Sequence, residues 1–378
     1  MNTERLKNCS FVFIDLVDSS VHSKIKNFEE YGKLLESFHE LIIAEYTDFV
    51  ACKQSLHKLN SWFNIEGFKP RGDEAFFAFT TKKGNVTNSD DVIYAVKLIL
   101  SIKFKWLLAQ YKGDDICIKD LVDLAAGINQ DEVLAYLHEN SEIERVEGYA
   151  INYAKRVESY SRNGLYSNVF LSERSRNIVL DQHILFERHE NCDLKGIGER
   201  VNLFEVSDFI FLDLVSFTDE AFNKIDKMVL NILPFYSKPW LENYILTIYL
   251  SKIKLLNGPK DIAAKERYQA AVKNILVKSS FKEYLYHKFI KTLMLDDSDI
   301  LKVKYLHDIV NKNTEFLPAK MLLIQLYEKH TKKMKLYSAF AYEIKNQVEE
   351  LLRFHENILD STQKSVLQDV LKKIDKLR

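Results

Sequence analysis

The chain has 378 residues, 47% hydrophobic and 28% charged, with 11 Gly and 5 Pro. That composition excludes a disordered or collagen-like polymer and leaves room for two hydrophobic cores. Its 53 basic and 54 acidic side chains give a net charge of −1, which excludes nucleic-acid binding driven by bulk charge. No apolar run reaches the roughly eighteen residues that a membrane span needs. The opening "MNTERLKNCS" lacks the apolar centre of a signal peptide. Cys9, Cys52, Cys117 and Cys192 are scattered, with no CxxC pair, and read as reduced thiols. The expectation is a soluble, cytoplasmic protein with no nucleic-acid or membrane partner.

In chain order, "FVFIDL" within 10–17 predicts a buried strand, and Asn27 to about Val50 keeps helical spacing through Leu34, Leu35, Phe38, Leu41 and Ile42. "GFKPRGDEAFFAFT", residues 67–80, predicts two short strands around a Gly-Asp turn, the second being Ala75 to Phe79. Ser89 is placed to cap a helix running to about Tyr111. Residues 121–137 predict a strand broken by Gly127 and a polar turn. A helix follows Gly148, with Ile151, Ala154, Val157 and Tyr160 at helical spacing, and "NVFLSE" and "ERVNLFEV" predict closing strands. The order β-α-β-β-α-β predicts an α+β, ferredoxin-like sheet with helices on one face. From about Thr218 the chain is periodic, Lys-rich and poor in Gly, which predicts an all-helical second domain. The division is 1–207 and 208–378. "FLDLVSFTD" at 211–219 echoes the opening strand, but no Gly-Asp hairpin follows it, so it reads as a boundary strand or helix start.

Asp15 is the residue that does not belong. A carboxylate inside an apolar strand costs several kcal/mol unless it is paired or neutralised. Asp73, at the tip of the predicted Gly72-Asp73 hairpin, is a partner that a neighbouring strand could supply. Two such carboxylates suit a hard divalent cation that completes its shell with phosphate oxygens and water. His22, His39 and Glu74 read as surface or helix-start groups.

Together these segments resemble the class III nucleotidyl cyclases. "FIDLVDSS" resembles the family's first metal motif and "KPRGDEAFFAF" its Gly-Asp hairpin. "AAGINQDEVLAYL" resembles the segment that carries Gly-Ile and a polar turn. "GYAINYAKRVE" has the family's Gly, Asn four residues on and Arg four further, and "LKGIGERVNLFEV" resembles the closing Lys-Gly strand pair. The motifs stand in family order across residues 8–207. The resemblance implies that Asp15 and Asp73, with the Leu16 carbonyl, hold two Mn²⁺ or Mg²⁺ ions. Asn152 would orient the ribose, Arg156 would stabilise charge on the α-phosphate, and Lys195 would neutralise the triphosphate. It also implies a head-to-tail homodimer with both sites at the interface. The reaction would convert a nucleoside triphosphate to a 3′,5′-cyclic nucleotide and pyrophosphate.

Two positions read the base in this family, and here they are Lys69 and Arg145. Both side chains are donors only, and a donor pair suits a base rich in carbonyls. Uracil fits well, guanine partly. That departure, with the helical extension, resembles the bacterial Pycsar anti-phage cyclases, and implies UTP as substrate and cyclic UMP as a messenger for a separate effector protein. The helical domain would then be regulatory or sensory. Two other readings stand beside it. In one, Arg145 is a solvated side chain paired with Glu144 or Glu147, and the enzyme makes cyclic AMP. In the other, the domain is a scaffold that binds nucleotide or a partner without catalysis.

Overall fold

The computed structural model describes residues 2–57, 59–61, 72–81, 89–111, 121–137, 143–179 and 184–209, with most of 217–331, 345–353 and 361–375. Strand β1 (Asn2–Leu16) leads into helices α1 (Ser19–Ile25) and α2 (Phe28–His57), then β2 (Leu59–Ser61), β3 (Glu74–Thr81) and α3 (Ser89–Gln110). Next come β4 (Leu124–Leu137), β5 (Ile143–Glu147), α4 (Tyr149–Ser161), β6 (Val169–Ser172), α5 (Glu173–Ile178), β7 (Ile184–Cys192) and β8 (Val201–Phe209). The strands form one eight-stranded sheet in the order β2-β3-β1-β4-β6-β8-β7, with β5 paired to β4. The β4–β6 pair is parallel and the others are antiparallel. The fold is α+β, and the chain beyond β8 is helical.

Helices cover both faces of the sheet rather than the one face expected. Phe11, Val12, Phe13 and Ile14 are all buried, so this half of β1 has no solvent side. Phe11 and Phe13 join Cys9, Val133 and the α4 residues Ala150 and Ala154 in one cluster. Val12 points the other way, beside Phe77, whose ring stacks on Tyr46 of α2 at 5.0 Å. The strand pattern of β1 was therefore legible, whereas its second cover was not. Cys9 and Cys192 are buried and take part in no disulfide among the described residues.

The break expected in residues 121–137 does not occur. β4 runs unbroken through Asn129, Gln130, Asp131 and Glu132, because β1 extends back to Asn2 to pair with it. The polar side chains are bonded within the fold. Asn129 Nδ2 donates to the Ala150 carbonyl at 3.0 Å, Gln130 Nε2 to Ser10 Oγ at 3.1 Å, and Ser175 Oγ accepts from Gln130 N at 2.7 Å. Gly127 has a different role. A Cβ there would lie 2.6 Å from Glu158 Cα and 2.7 Å from the Ala154 carbonyl oxygen, so its bare backbone lets α4 lie directly on β4.

Among the described residues the chain goes on through α6 (Asp219–Asn231), α7 (Pro239–Leu255), α8 (Ile262–Lys278), α9 (Leu285–Leu293), α10 (Asp299–Lys312) and α11 (Leu317–Thr331), with further helical residues within 345–353 and a last helix, α12 (Ser361–Asp375). The Thr218 side chain accepts from Ala221 N at 3.2 Å, so the end of the 211–219 echo is the N-cap of α6. α7 starts on Pro239 and is buried on every side from there to Leu250, as a central helix must be. One compact unit comprises Met1–Val179 and Ile184–Tyr268, and a second comprises Leu180–His183 and Gln269–Arg378. The first unit thus runs beyond the last strand. Lys103 of α3, fully buried, shows why: its Nζ donates to Asp123 Oδ1 at 2.7 Å and to the Leu124 carbonyl, and lies 5.0 Å from the centre of the Trp240 ring of α7. No helix among the described residues is long and apolar enough to cross a membrane.

Candidate metal centre

β1 delivers Asp15 to the end of the sheet, where it is 5% exposed. The turn before β3 comes up beside it: Asp15 is in register with Glu74, and Leu16 N donates to the Asp73 carbonyl at 3.1 Å. Gly72 holds φ at +68°, a left-handed conformation that glycine adopts without strain, and this aims the turn. Asp73 accepts a hydrogen bond from Ser19 Oγ, and Tyr31 and His39 of α2 stand close by. Burial lowers the His39 pKa and raises that of Tyr31, in each case more than the charge of Asp73 alters it. His39 is half-buried beside the Gly72-Asp73 turn, hydrogen-bonded to the Gly72 backbone, and is not a free surface group.

The other side of the site comes from α4 and the loop behind it. Glu158 is fully buried, and Lys155 Nζ is 2.6 Å from its Oε2. The same ammonium is ion-paired to Glu74, lies 3.8 Å from Asp15 Oδ2 and stands 5.7 Å from the Phe13 ring centre. Arg162 donates to Asp15 Oδ2 and sits 3.7 Å from Glu158 Oε1. Burial pushes the Asp15 carboxyl up to about 7, the carboxylates of Glu158 and Asp73 add to it, and Arg162 and Lys155 offset only part. Burial disfavours the charge on Lys155, but its bonds to Glu158 and Glu74 win and hold its pKa above the ordinary value.

Asp15, Glu74 and Glu158 each offer a carboxylate oxygen, and the three lie within 4.8 Å of one another. Asp15 Oδ1 and Glu158 Oε1 are buried with no hydrogen-bond partner among the described residues. Buried carboxylate oxygens left without donors are what a hard cation would satisfy, and an all-oxygen donor set fits Mg²⁺ or Mn²⁺. Lys155, Glu158, Arg162 and Glu74 were not singled out from sequence. Glu74 stood there as a surface group, yet it is half-buried against Lys155.

The other expected site residues lie further from this cluster or outside it. Leu16 ends β1, fully buried. Asn152 and Arg156 lie one turn apart on α4. At about 100° per residue they project away from both the buried stripe of Ala150, Ala154, Val157 and Ser161 and the Asp15-facing stripe of Lys155, Glu158 and Arg162. Asn152 is exposed. Among the described residues, neither makes a hydrogen bond or ion pair to the Asp15 cluster. Lys195 is exposed in the β7–β8 turn, beside Gly196 at φ +82°. Arg145 is in β5 opposite Tyr136, its side chain outside the described residues, as is all of Lys69. Glu147, one partner considered for Arg145, accepts from Tyr136 Oη at 2.9 Å.

Beneath α4, the loop to β6 is held by one carboxylate. Glu205 of β8, fully buried, accepts from the backbone N–H groups of Leu165 at 3.0 Å, Tyr166 and Ser167 at 2.8 Å and Asn168 at 2.9 Å, with His189 Nε2 at 3.2 Å. This fixes the segment that follows Arg162.

No protein-family model matches the chain, and no curated protein matches it. Among solved structures, the adenylyl cyclase CyaB from P. aeruginosa is similar at 17% identity and a TM-score of 0.42, over 55% of this chain and 97% of that one. The guanylyl cyclase Cya2 gives 18% identity and a TM-score of 0.41, over 58% and 100%. The guanylate cyclase domain of RhGC from Catenaria anguillulae in complex with GTP gives 13% and 0.38, over 55% and 99%. Likenesses at this distance identify neither a substrate nor a reaction.

Proposed function

We propose that the chain is a class III nucleotidyl cyclase. The observation that carries the reading is Asp15: a carboxylate buried at the end of β1, beside the Gly72-Asp73 turn, with one oxygen that no described donor satisfies. Asp15 and Asp73, with the Leu16 carbonyl, would hold the divalent metal, and Glu74 and Glu158 stand close enough to join them. When bound, the metal supplies Lewis acidity that favours the alkoxide and neutralises the leaving group. In the reaction, the ribose 3′ oxygen forms a bond to the α-phosphorus while the bond to the α,β-bridging oxygen breaks. The hydroxyl proton goes to solvent, and pyrophosphate leaves with the electron pair. Arg156 would stabilise charge on the α-phosphate, Asn152 would orient the ribose, and Lys195 would meet the triphosphate. The exposure of Asn152, and the position of Arg156 one turn on and off the stripe that faces Asp15, support a head-to-tail homodimer in which each copy lends these two residues to its partner's metal site.

Lys69 and Arg145 favour UTP, because two donors match the carbonyls of uracil and mismatch the amine of adenine or cytosine. On this reading the product is cyclic UMP, a messenger in Pycsar-type anti-phage defence in the cytoplasm. It would act on a separate effector, with the C-terminal helices as the controlling part. The test is incubation of the full chain with each of the four ribonucleoside triphosphates and Mn²⁺, with products resolved by chromatography. Cyclic UMP is expected. Cyclic AMP would keep the chemistry and overturn the base reading. Asp73→Ala is expected to cut turnover by roughly 10²-fold or more, the rate equivalent of several kcal/mol of lost charge stabilisation. Unchanged nucleotide binding with no turnover in the wild type would point to a scaffold.

A further inference from the structure

The family resemblance calls for two divalent ions, and the side chains of this site argue for another arrangement. We propose that the Lys155 ammonium occupies the place of one of them, so that the site takes a single divalent cation. The inference rests on the cyclase reading above and deepens it.

Three observations support it. The first is placement: Lys155 Nζ contacts Glu74 and Glu158 and is 3.8 Å from Asp15, so it sits among the same three carboxylates whose oxygens cluster within 4.8 Å. An ammonium bonded by several carboxylate oxygens meets the electrostatic demand that a metal ion would meet. The second is charge. Asp15, Glu74 and Glu158 face Lys155 and Arg162, and the charge of Asp73 reaches Asp15, so with all four carboxylates ionised, as a bound cation requires, two negative charges remain over the two cationic side chains, the amount one divalent ion neutralises. A second ion would bring net positive charge into a half-buried pocket before any phosphate arrived. The third is unfilled capacity. Asp15 Oδ1 and Glu158 Oε1 remain buried without a hydrogen-bond donor although Lys155 and Arg162 are in place. Both oxygens lie where one further cation could meet them, although Arg162 already stands 3.7 Å from Glu158 Oε1.

The place of Lys155 is set by the helix. It lies three residues before Glu158 and seven before Arg162, along the one stripe of α4 that faces Asp15. Its position between Asn152 and Arg156 in sequence conceals this, because those two residues project elsewhere.

The experiment is calorimetric titration of the full wild-type chain with Mn²⁺ alone, with the bound ion counted independently by its paramagnetic resonance signal. One Mn²⁺ per chain is expected, lost on Asp15→Asn. Lys155→Gln is expected to take two, and Lys155→Arg, which keeps the charge, to take one; melting curves establish that each variant is folded. Two ions on the wild type, both lost with Asp15→Asn, would overturn the role of Lys155 while leaving the metal centre intact, and that result needs no Lys155 variant. A single ion on Lys155→Gln at unchanged affinity would also overturn it. Mn²⁺ uptake indifferent to Asp15→Asn, or no uptake at all, would overturn both the metal centre and the role of Lys155.

Discussion

Asp15 is a burden on the fold. Burial pushes its folded-state carboxyl up to about 7, far above an exposed aspartate, so folding favours the protonated form. By linkage, this burden is absent at low pH, where the folded and unfolded chains both carry the proton, and grows as the pH rises towards 7. Asp15→Asn is therefore expected to stabilise the metal-free chain at pH 8, by on the order of 1–3 kcal/mol, with a gain that shrinks towards pH 5. Urea unfolding at the two pH values measures it; equal midpoints at pH 8 would mean that the surrounding cations already neutralise the charge. A residue that weakens the fold and yet, on the proposed function, anchors the site fits the trade of stability for activity. At this scale the sequence was informative where chemistry breaks a pattern. Asp15 interrupts an apolar run and Gly72-Asp73 marks a tip, and both could be read directly. Lys155, Glu158 and Arg162 obey the pattern of a solvated helix face, and only tertiary packing turns that face inward.

At the scale of elements, the β4–α4 contact sets the site. Gly127 has no side chain where α4 crosses, so the Glu158 backbone rests on the strand and its carboxylate reaches Asp15's neighbourhood. Gly127→Ala is expected to push α4 outward and cost about 1–3 kcal/mol as an overpacked contact. Thermal melting reads the loss, and weaker Mn²⁺ uptake would accompany it because two of the three clustered carboxylates lie on the separated elements β1 and α4. A variant as stable as the wild type would show that the helix can slide at no cost. The same contact explains what could not be read from the residues 129–132. Polarity in a strand reads as a turn unless its partners are known, and those partners come from Ser10, Ala150 and Ser175, all distant in sequence. The second helical cover of β1 was hidden for a related reason: an unbroken apolar run looks the same whatever lies on its two sides.

For the whole molecule, α4 divides its labour. One stripe lines the candidate metal centre, and exposed Asn152 with half-buried Arg156 lies on another. On the proposed pairing, Asp73→Ala and Arg156→Ala chains are each inactive alone. Mixed in equal amounts under conditions of subunit exchange, they are expected to regain roughly a quarter of wild-type turnover, since half the dimers are mixed and each holds one intact site. No recovery, with exchange verified by differently tagged copies, would remove the shared site. The helical character of the C-terminal part was legible from its periodicity and lack of glycine. That its first helices belong with the sheet was not, because the link is made by side chains such as Lys103 and Trp240, far apart in sequence.

Gene fusions that reuse this sheet with a new C-terminal partner meet a constraint at that link. A splice just behind β8 would strip the Trp240 ring from the Lys103 ammonium and Tyr236 from Asp123. A transplantable segment must therefore carry the chain through α7, or exchange Lys103 and Asp123 together for apolar side chains, since removing one alone strands the other's charge. The heritable module is set by a buried ion pair and not by the last strand.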